Sequence, residues 1–141
     1  MVFMAQPSAR AQATPRSPAR VELYRLLSEP GRLQVLALCA EEELSVGELS
    51  LLLDDSQPQL SRKVSALREG ALVSARKDGT RTWVRASKEA LADPVVADAI
   101  QEGRRLCLED GSLRRVPQLV AAREDTGRHL FDVQAAHSTS V

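Results

Sequence analysis

The sequence is poor in aromatic residues and in cysteine. Phe, Trp and Tyr make up 3% of its 141 residues, so aliphatic side chains must form most of the core. No apolar run approaches the roughly 18 residues that suggest a membrane-spanning helix. The only cysteines, Cys39 and Cys107, are too few and too far apart for a disulfide framework, which favours a reducing cytoplasm. We expect no secretory signal before Arg20, because that segment lacks a continuous apolar stretch.

The sequence also lacks an overall excess of positive charge. Its 19 basic and 19 acidic residues cancel, whereas many nucleic-acid-binding proteins are strongly basic. The distribution is uneven, however. Residues 56–85 contain seven basic and two acidic residues, a local charge of +5. Such an excess suits binding to phosphate, although basic clusters are also common on ordinary solvated surfaces.

Motifs of common catalytic sites are absent from the sequence. There is no glycine-rich phosphate loop, no HExxH and no GxSxG, and neither His129 nor His137 lies close to a cysteine. We therefore expect neither an enzyme nor a bound cofactor.

Apolar periodicity predicts three short helices in the first half of the chain. The first covers about residues 20–28, and the second begins at Pro30 and ends near three glutamates at 41–43. The third begins after Ser45, where Glu48 completes a capping box.

A fourth helix follows after the short turn at residues 54–55. Ser56 is its predicted N-cap, Gln59 completes a second capping box, and Gly70 closes the helix as its C′ residue. Its buried face is narrow and consists of Leu60, Val64 and Leu67.

Two alternating segments then predict a β-hairpin. Residues 71–76 and 80–86 read as strands, with Asp78-Gly79 as the turn between them and basic residues beside the tip. Helix, helix, capped basic helix and hairpin in this order describe a winged helix-turn-helix, which places one helix in the major groove of DNA.

The last third of the sequence predicts two more helices. One opens at Asp93-Pro94 and closes at Gly111, and another begins at Leu113 or Pro117 and runs to about Phe131. We expect these terminal helices to form a homodimer, although packing within one chain is an alternative. The apolar side chains on which this expectation rests are Val96, Ile100, Leu119, Val120, Leu130 and Phe131.

The predicted fold is therefore mainly α with a small β-hairpin wing, dimeric through its terminal helices. We divide the chain into a disordered basic arm (1–19), a DNA-binding winged helix-turn-helix (20–90), dimerisation helices (91–133) and a disordered tail (134–141). A two-fold dimer places two recognition helices about one DNA turn apart, so the expected partner is a partly palindromic double-stranded operator.

Polar side chains on the fourth helix and the hairpin are candidates for DNA contact. Arginine can bind guanine and glutamine can bind adenine through paired hydrogen bonds, and basic residues of the hairpin can bind phosphate. An ordinary amphipathic surface helix is the alternative. The candidates are Ser56, Gln57, Gln59, Ser61, Arg62, Lys63, Lys77 and Arg81.

Three segments resemble the ArsR/SmtB family of bacterial repressors. Residues 27–36 are similar to its L-x-x-P-x-R-L-x-I-L stretch, residues 56–68 to S-Q-x-x-V-S-x-H-L-x-x-L-R, and residues 71–79 to G-L-V-x-x-R-x-x-G. The resemblance covers about residues 20–90 and implies a DNA-binding repressor. Lys63 replaces the family's usual histidine, and Pro58 is less common at its place, which leaves the base preference open.

The resemblance also implies where an effector could act. Many relatives bind metal through a Cys-x-Cys pair at the third helix, but Ser45 and Gly47 occupy those positions here, so we expect no metal site. Other relatives sense oxidants through a cysteine on the second helix and another on the fifth. Cys39 and Cys107 fall on those helices, although Cys39 is two residues from the family position. Redox sensing and simple core packing both stay open.

A function without DNA is the second interpretation of the whole chain. Its neutral net charge and Lys63 also suit a winged helix that serves as a protein-interaction module. Dependence of binding on salt distinguishes the two, because phosphate contacts weaken steeply as salt rises.

Overall fold

A computed structural model of the chain describes residues 19–123. Over this range the backbone forms seven helices and a three-stranded antiparallel sheet. The elements are α1 (Arg20–Leu26), α2 (Pro30–Glu41), β1 (Leu44–Ser45), α3 (Val46–Leu53), α4 (Gln57–Glu69), β2 (Val73–Asp78), β3 (Arg81–Ala86), α5 (Lys88–Leu91), α6 (Pro94–Glu109) and α7 (112–123). The mainly α fold with a small wing is confirmed. The predicted arm, apart from Ala19, and the predicted tail lie outside the described residues.

Helix α2 lies at the centre of the core. Four consecutive residues, 35–38, are fully buried, so α2 is covered on all sides. Its neighbours are α6, β3 and α4. Burial on all sides agrees with the continuous apolar run at residues 35–40 of this helix.

Helices α2 and α6 approach each other closely at Gly103. A Cβ atom on Gly103 would lie 2.8 Å from both the Ala37 Cβ and the Leu33 carbonyl carbon. Only glycine at this position leaves room for the backbone of α2, which makes the crossing of these two helices a fixed part of the fold.

The sheet has the strand order β1-β3-β2. Strand β1 pairs Leu44 with Val84 and Ser45 with Trp83. The sequence did not predict β1, because two residues are too few to show an alternating pattern. The pairing places the N-cap of α3 directly beside the wing.

The hairpin turn is shifted by one residue from the prediction. Asp78 still pairs with Arg81, so Gly79 and Thr80 form the two-residue turn rather than Asp78-Gly79. Gly79 has φ 66° at the first central position, where a type II′ turn requires glycine.

The end of α4 also differs from the prediction. Gly70 is the C-cap with φ −83°, and the left-handed C′ residue is Ala71 with φ 62°. The Ala71 N–H donates to the Arg68 carbonyl, and the Leu72 N–H donates to the Leu67 carbonyl, as in a Schellman motif. Gly70 serves packing instead, because a Cβ there would overlap the Leu26 side chain.

We expect Ala71→Gly to stabilise the protein by about 1 kcal/mol, because the left-handed conformation strains alanine but not glycine. Urea unfolding followed by circular dichroism measures the change. Ala97→Gly is the matched control, since the same substitution within the exposed part of α6 should cost about 1 kcal/mol. A loss of stability in both variants would contradict the assignment of strain to Ala71.

The C-terminal helices follow the predicted pattern with two changes. Gly111 ends α6 in the left-handed conformation, as predicted, whereas α5 was not predicted and α7 begins at residue 112 and continues through Pro117. Val96 and Ile100 are buried in the core of the single chain, which removes them from the predicted dimer surface. Leu130 and Phe131 lie outside the described residues. The core continues past residue 90, and the domain boundaries stay a prediction.

Candidate nucleic-acid interface

Helix α3 begins with the capping box that the sequence predicted. The Ser45 hydroxyl accepts the Glu48 N–H at 3.1 Å, and the Glu48 carboxylate accepts the Ser45 N–H at 3.0 Å. Leu49 and Leu52 anchor the helix in the core. The first element of the helix-turn-helix is thereby fixed at its N-terminus.

The second predicted capping box is half correct. Ser56 is the N-cap of α4, and its hydroxyl accepts the Gln59 N–H at 3.3 Å. The Ser56 N–H, however, donates to the Asp55 carboxylate at 3.0 Å rather than to the side chain of Gln59. The Gln59 side chain therefore stays exposed and available for a ligand.

Helix α4 presents a polar face to solvent. Leu60, Val64 and Leu67 are buried, as predicted from their spacing. The opposite face contains no buried side chain, and the first three residues of the helix, 57–59, are exposed. The predicted DNA-contact residues exposed there are Ser56, Gln57, Gln59, Ser61 and Arg62.

A cleft of about 570 Å³ separates this face from the wing. Gln57 and Ser61 line it from α4, and Arg81 lines it from β3. Lys77 lies nearby, in a smaller groove between α4 and β2. Three of the eight predicted DNA-contact residues thus line the cleft and Lys77 lies in the adjacent groove, although Gln57 and Arg81 are 24 positions apart in the sequence.

The fold adds cleft residues that the sequence analysis missed. Gly47 and Ser50 contribute from α3, and Thr80 and Thr82 contribute from the wing. Gly47 could have been found from its place in the first turn after the Ser45 cap, a position that often binds anions. The two threonines carry no local signal, since only the register of the hairpin brings them to the cleft.

Lys63 is the predicted residue that the fold directs elsewhere. Its ammonium lies 2.6 Å from the Asp55 carboxylate, and both side chains are more than three-quarters buried. It also covers Gly31 of α2. The hydrogen bond from Lys63 lowers the pKa of the Asp55 carboxyl. Lys63 therefore neutralises an acid at the turn rather than adding positive charge to the exposed face.

Part of the positive charge of the wing is also neutralised. Arg76 donates two hydrogen bonds to the Glu43 carboxylate, at 3.1 and 2.9 Å. Within residues 19–123, Arg62, Lys77 and Arg81 have no ion-pair partner. Arg68 of α4 and Arg85 of β3 are likewise exposed and have no ion-pair partner in that range, so five cations of α4 and the wing stay available for phosphate or base edges.

Both cysteines lie in the core. Cys39 is 3% exposed and Cys107 is fully buried, and burial raises the pKa of each thiol. The Cys107 thiol donates to the Gln34 carbonyl at 3.8 Å. Since the thiolate is the reactive form, these sites suit packing better than redox chemistry.

We expect an aromatic disulfide reagent to label neither cysteine in the native protein and to label both in urea. Operator binding should be equal in parent and Cys107→Ser protein, with or without peroxide, because a neutral buried thiol reacts slowly. Fast labelling of one native thiol, or release of the parent alone from DNA by peroxide, would show a sensor cysteine instead.

The described part of the chain contains no cluster of three or more His, Cys, Asp or Glu residues that could hold a metal ion. At the family's metal position, Ser45 caps α3, and Gly47 has no ligating side chain. No helix within residues 19–123 is long and apolar enough to cross a membrane.

Comparison with known proteins identifies transcriptional regulators. No model of a protein family matches the sequence. The HTH-type transcriptional regulator KmtR of Mycobacterium tuberculosis is 36% identical over 80 residues, which are 57% of this chain and 61% of the relative. The chain thus covers less than two-thirds of this curated relative.

Solved structures cover more of the chain. The reduced form of HlyU from Vibrio cholerae matches with a TM-score of 0.51 and 32% identity, over 75% of this chain and 97% of HlyU. A homodimeric winged helix-turn-helix DNA-binding domain from Mycobacterium bovis, described as a possible ArsR-family regulator, matches with a TM-score of 0.50 and 28% identity, over 63% of this chain and 78% of that domain. With the capped helix pair, the wing and the three sequence segments, these matches show that the chain belongs to the ArsR/SmtB family of winged helix-turn-helix regulators.

Proposed function

We propose that this chain is a dimeric, sequence-specific DNA-binding repressor of its own or a neighbouring operon. The observation that carries the proposal is the cleft between α4 and the wing, which Gln57, Ser61 and Arg81 line. Gln59 and Arg62 are exposed elsewhere on α4, and Lys77 lies in the adjacent groove. Glutamine and arginine suit base edges, and the wing cations suit phosphate. The family assignment supports the same function.

The dimer is supported by exposed apolar side chains on α1. Val21 is 67% exposed and Tyr24 is 56% exposed, on a helix that buries only Leu23. A second copy of the chain would cover them, and the Mycobacterium bovis neighbour is described as homodimeric. Two-fold symmetry would present two α4 helices to a partly palindromic operator. A DNA-bound regulator of a bacterial operon would act in the cytoplasm.

We do not expect effector control through the family's thiolate metal site. Ser45 is occupied as the N-cap of α3, and Gly47 offers no ligand. The burial of Cys39 and Cys107 also disfavours a thiol switch.

Salt dependence of duplex binding tests the proposal. The operator would be selected by the parent protein from a random-sequence duplex library, and its affinity measured by fluorescence anisotropy between 50 and 200 mM salt (about a fourfold range). If a dimer uses Arg62, Lys77 and Arg81 from each copy, about six phosphate contacts should weaken binding about a thousandfold. Failure to select any duplex, or an affinity that does not change with salt concentration, would favour the protein-interaction module. Sedimentation of the free protein tests the dimer.

A further inference from the structure

A single arginine of α7 connects two elements of the proposed DNA surface. Arg123 Nε and Nη2 each lie 2.9 Å from an oxygen of the Glu48 carboxylate, and Nη2 also donates to the Glu43 carbonyl at 3.3 Å. Its guanidinium lies 5.0 Å from the centre of the Trp83 ring. Glu48 belongs to α3, and Trp83 belongs to the wing.

The partner of Arg123 is already occupied in a structural role. Glu48 closes the capping box of α3 through the Ser45 N–H, and Ser45 pairs with Trp83 across β1 and β3. Trp83 in turn lies 5.9 Å beneath the guanidinium of Arg81, one of the exposed cations of the cleft. Arg123 therefore touches the start of the helix-turn-helix and the base of the wing at once.

The geometry of this contact is that of a strong ion pair. It is bidentate, and the Arg123 and Glu48 side chains are only 25% and 12% exposed. The hydrogen bond to Glu48 raises the pKa of Arg123. Contact with the tryptophan face adds a cation–π attraction.

A second arginine holds the other end of α3. Arg115 Nη2 donates to the Leu52 carbonyl at 2.6 Å, in the last turn of α3, where a cation also complements the helix dipole. Helix α7 is thus attached to both ends of α3, through residues 63 and 75 positions away in sequence.

We propose that α7 is a strap that sets the position of the wing relative to the helix-turn-helix, with Arg123 as its positioning residue. The inference rests on the proposed DNA-binding function. Arg123 does not line the cleft and acts through Glu48 and Trp83. Loss of its guanidinium leaves the wing free to move against α3 and α4, which lowers affinity for DNA without removing a phosphate contact.

The test uses the full-length chain with Arg123→Met, and Arg114→Met as the matched control. Arg114 is exposed on the same helix and has no ion-pair partner among residues 19–123. We expect Arg123→Met to weaken binding to the selected operator about tenfold with an unchanged salt slope, and Arg114→Met to bind within about twofold of the parent. Emission from Trp83, the single tryptophan, should shift in Arg123→Met alone. Arg123→Lys keeps the charge without the bidentate pair and should bind with intermediate affinity.

Glu48→Gln provides a second route if Arg123→Met fails to fold. Glutamine preserves the capping box but removes the ion pair, so this variant should lose the same affinity. A double variant should bind no more weakly than the weaker single variant, because one interaction is lost in all three. Affinity equal to that of Arg114→Met would overturn the strap. A salt slope lowered by about one per chain would overturn it as well, since Arg123 would then bind phosphate directly. If the parent selects no duplex at all, the proposed function itself fails.

Discussion

Gly103→Ala should lower the free energy of unfolding by about 3 kcal/mol, the upper end of the usual cost of overpacking a core. The added methyl would lie 2.8 Å from the Ala37 Cβ and closer still to the carbonyl oxygen of Leu33. The Leu33 carbonyl belongs to the backbone of α2, so it cannot rotate away from the added methyl as a flexible side chain can. The helices α2 and α6 must therefore separate, and their contact forms the centre of the core.

Gly47→Ala is the control for this substitution. Gly47 also lies in a helix, but its added Cβ would meet Gln57 Nε2 at an ordinary 3.6 Å. Alanine there should gain about 0.5–1 kcal/mol through helix propensity. Urea unfolding of parent and both variants, followed by circular dichroism, provides the comparison. Equal stability of the two variants would mean that α2 and α6 are not in close contact.

Features encoded by neighbouring residues were predictable from the sequence. The Ser45–Glu48 box, the Pro30 start of α2 and the Asp93 cap of α6 depend on contacts within three residues, so their sequence patterns are sufficient. The buried face of α4 followed from helical spacing alone. The family resemblance added the order of these elements and their purpose.

Features that depend on distant partners were not predictable. Strand β1 exists because Leu44 and Ser45 pair with residues 40 and 38 positions later, on β3. The sequence predicts Lys63 as a DNA-contact residue, but in the fold the Asp55 carboxylate lies 2.6 Å from its ammonium. Arg123 had no assigned role, since its partner Glu48 is 75 residues away. The sequence identified the types of side chain at the site, and the fold decides which of them remain free.

Arg62→Ala should weaken binding to the selected operator by about 1–3 kcal/mol and remove the preference for one base pair. Arg62 is exposed in the second turn of α4, toward the N-terminal end that meets base edges in a recognition helix. It has no ion-pair partner among the described residues. Anisotropy titration against a panel of single-base-pair operator variants measures both effects. If the variant still distinguishes every base pair as the parent does, Arg62 does not read sequence.

Lys77→Ala and Lys63→Ala separate contact with phosphate from neutralisation within the protein. Lys77 is exposed on the wing, so its loss should weaken binding to all duplexes alike and lower the salt slope by about one per chain. Lys63 is paired with Asp55, so its loss should leave the slope unchanged. Its loss also leaves the Asp55 carboxylate without its partner at the start of α4, which should reduce stability and affinity together. A lower salt slope in Lys63→Ala would mean that this lysine leaves Asp55 and binds phosphate when DNA is present.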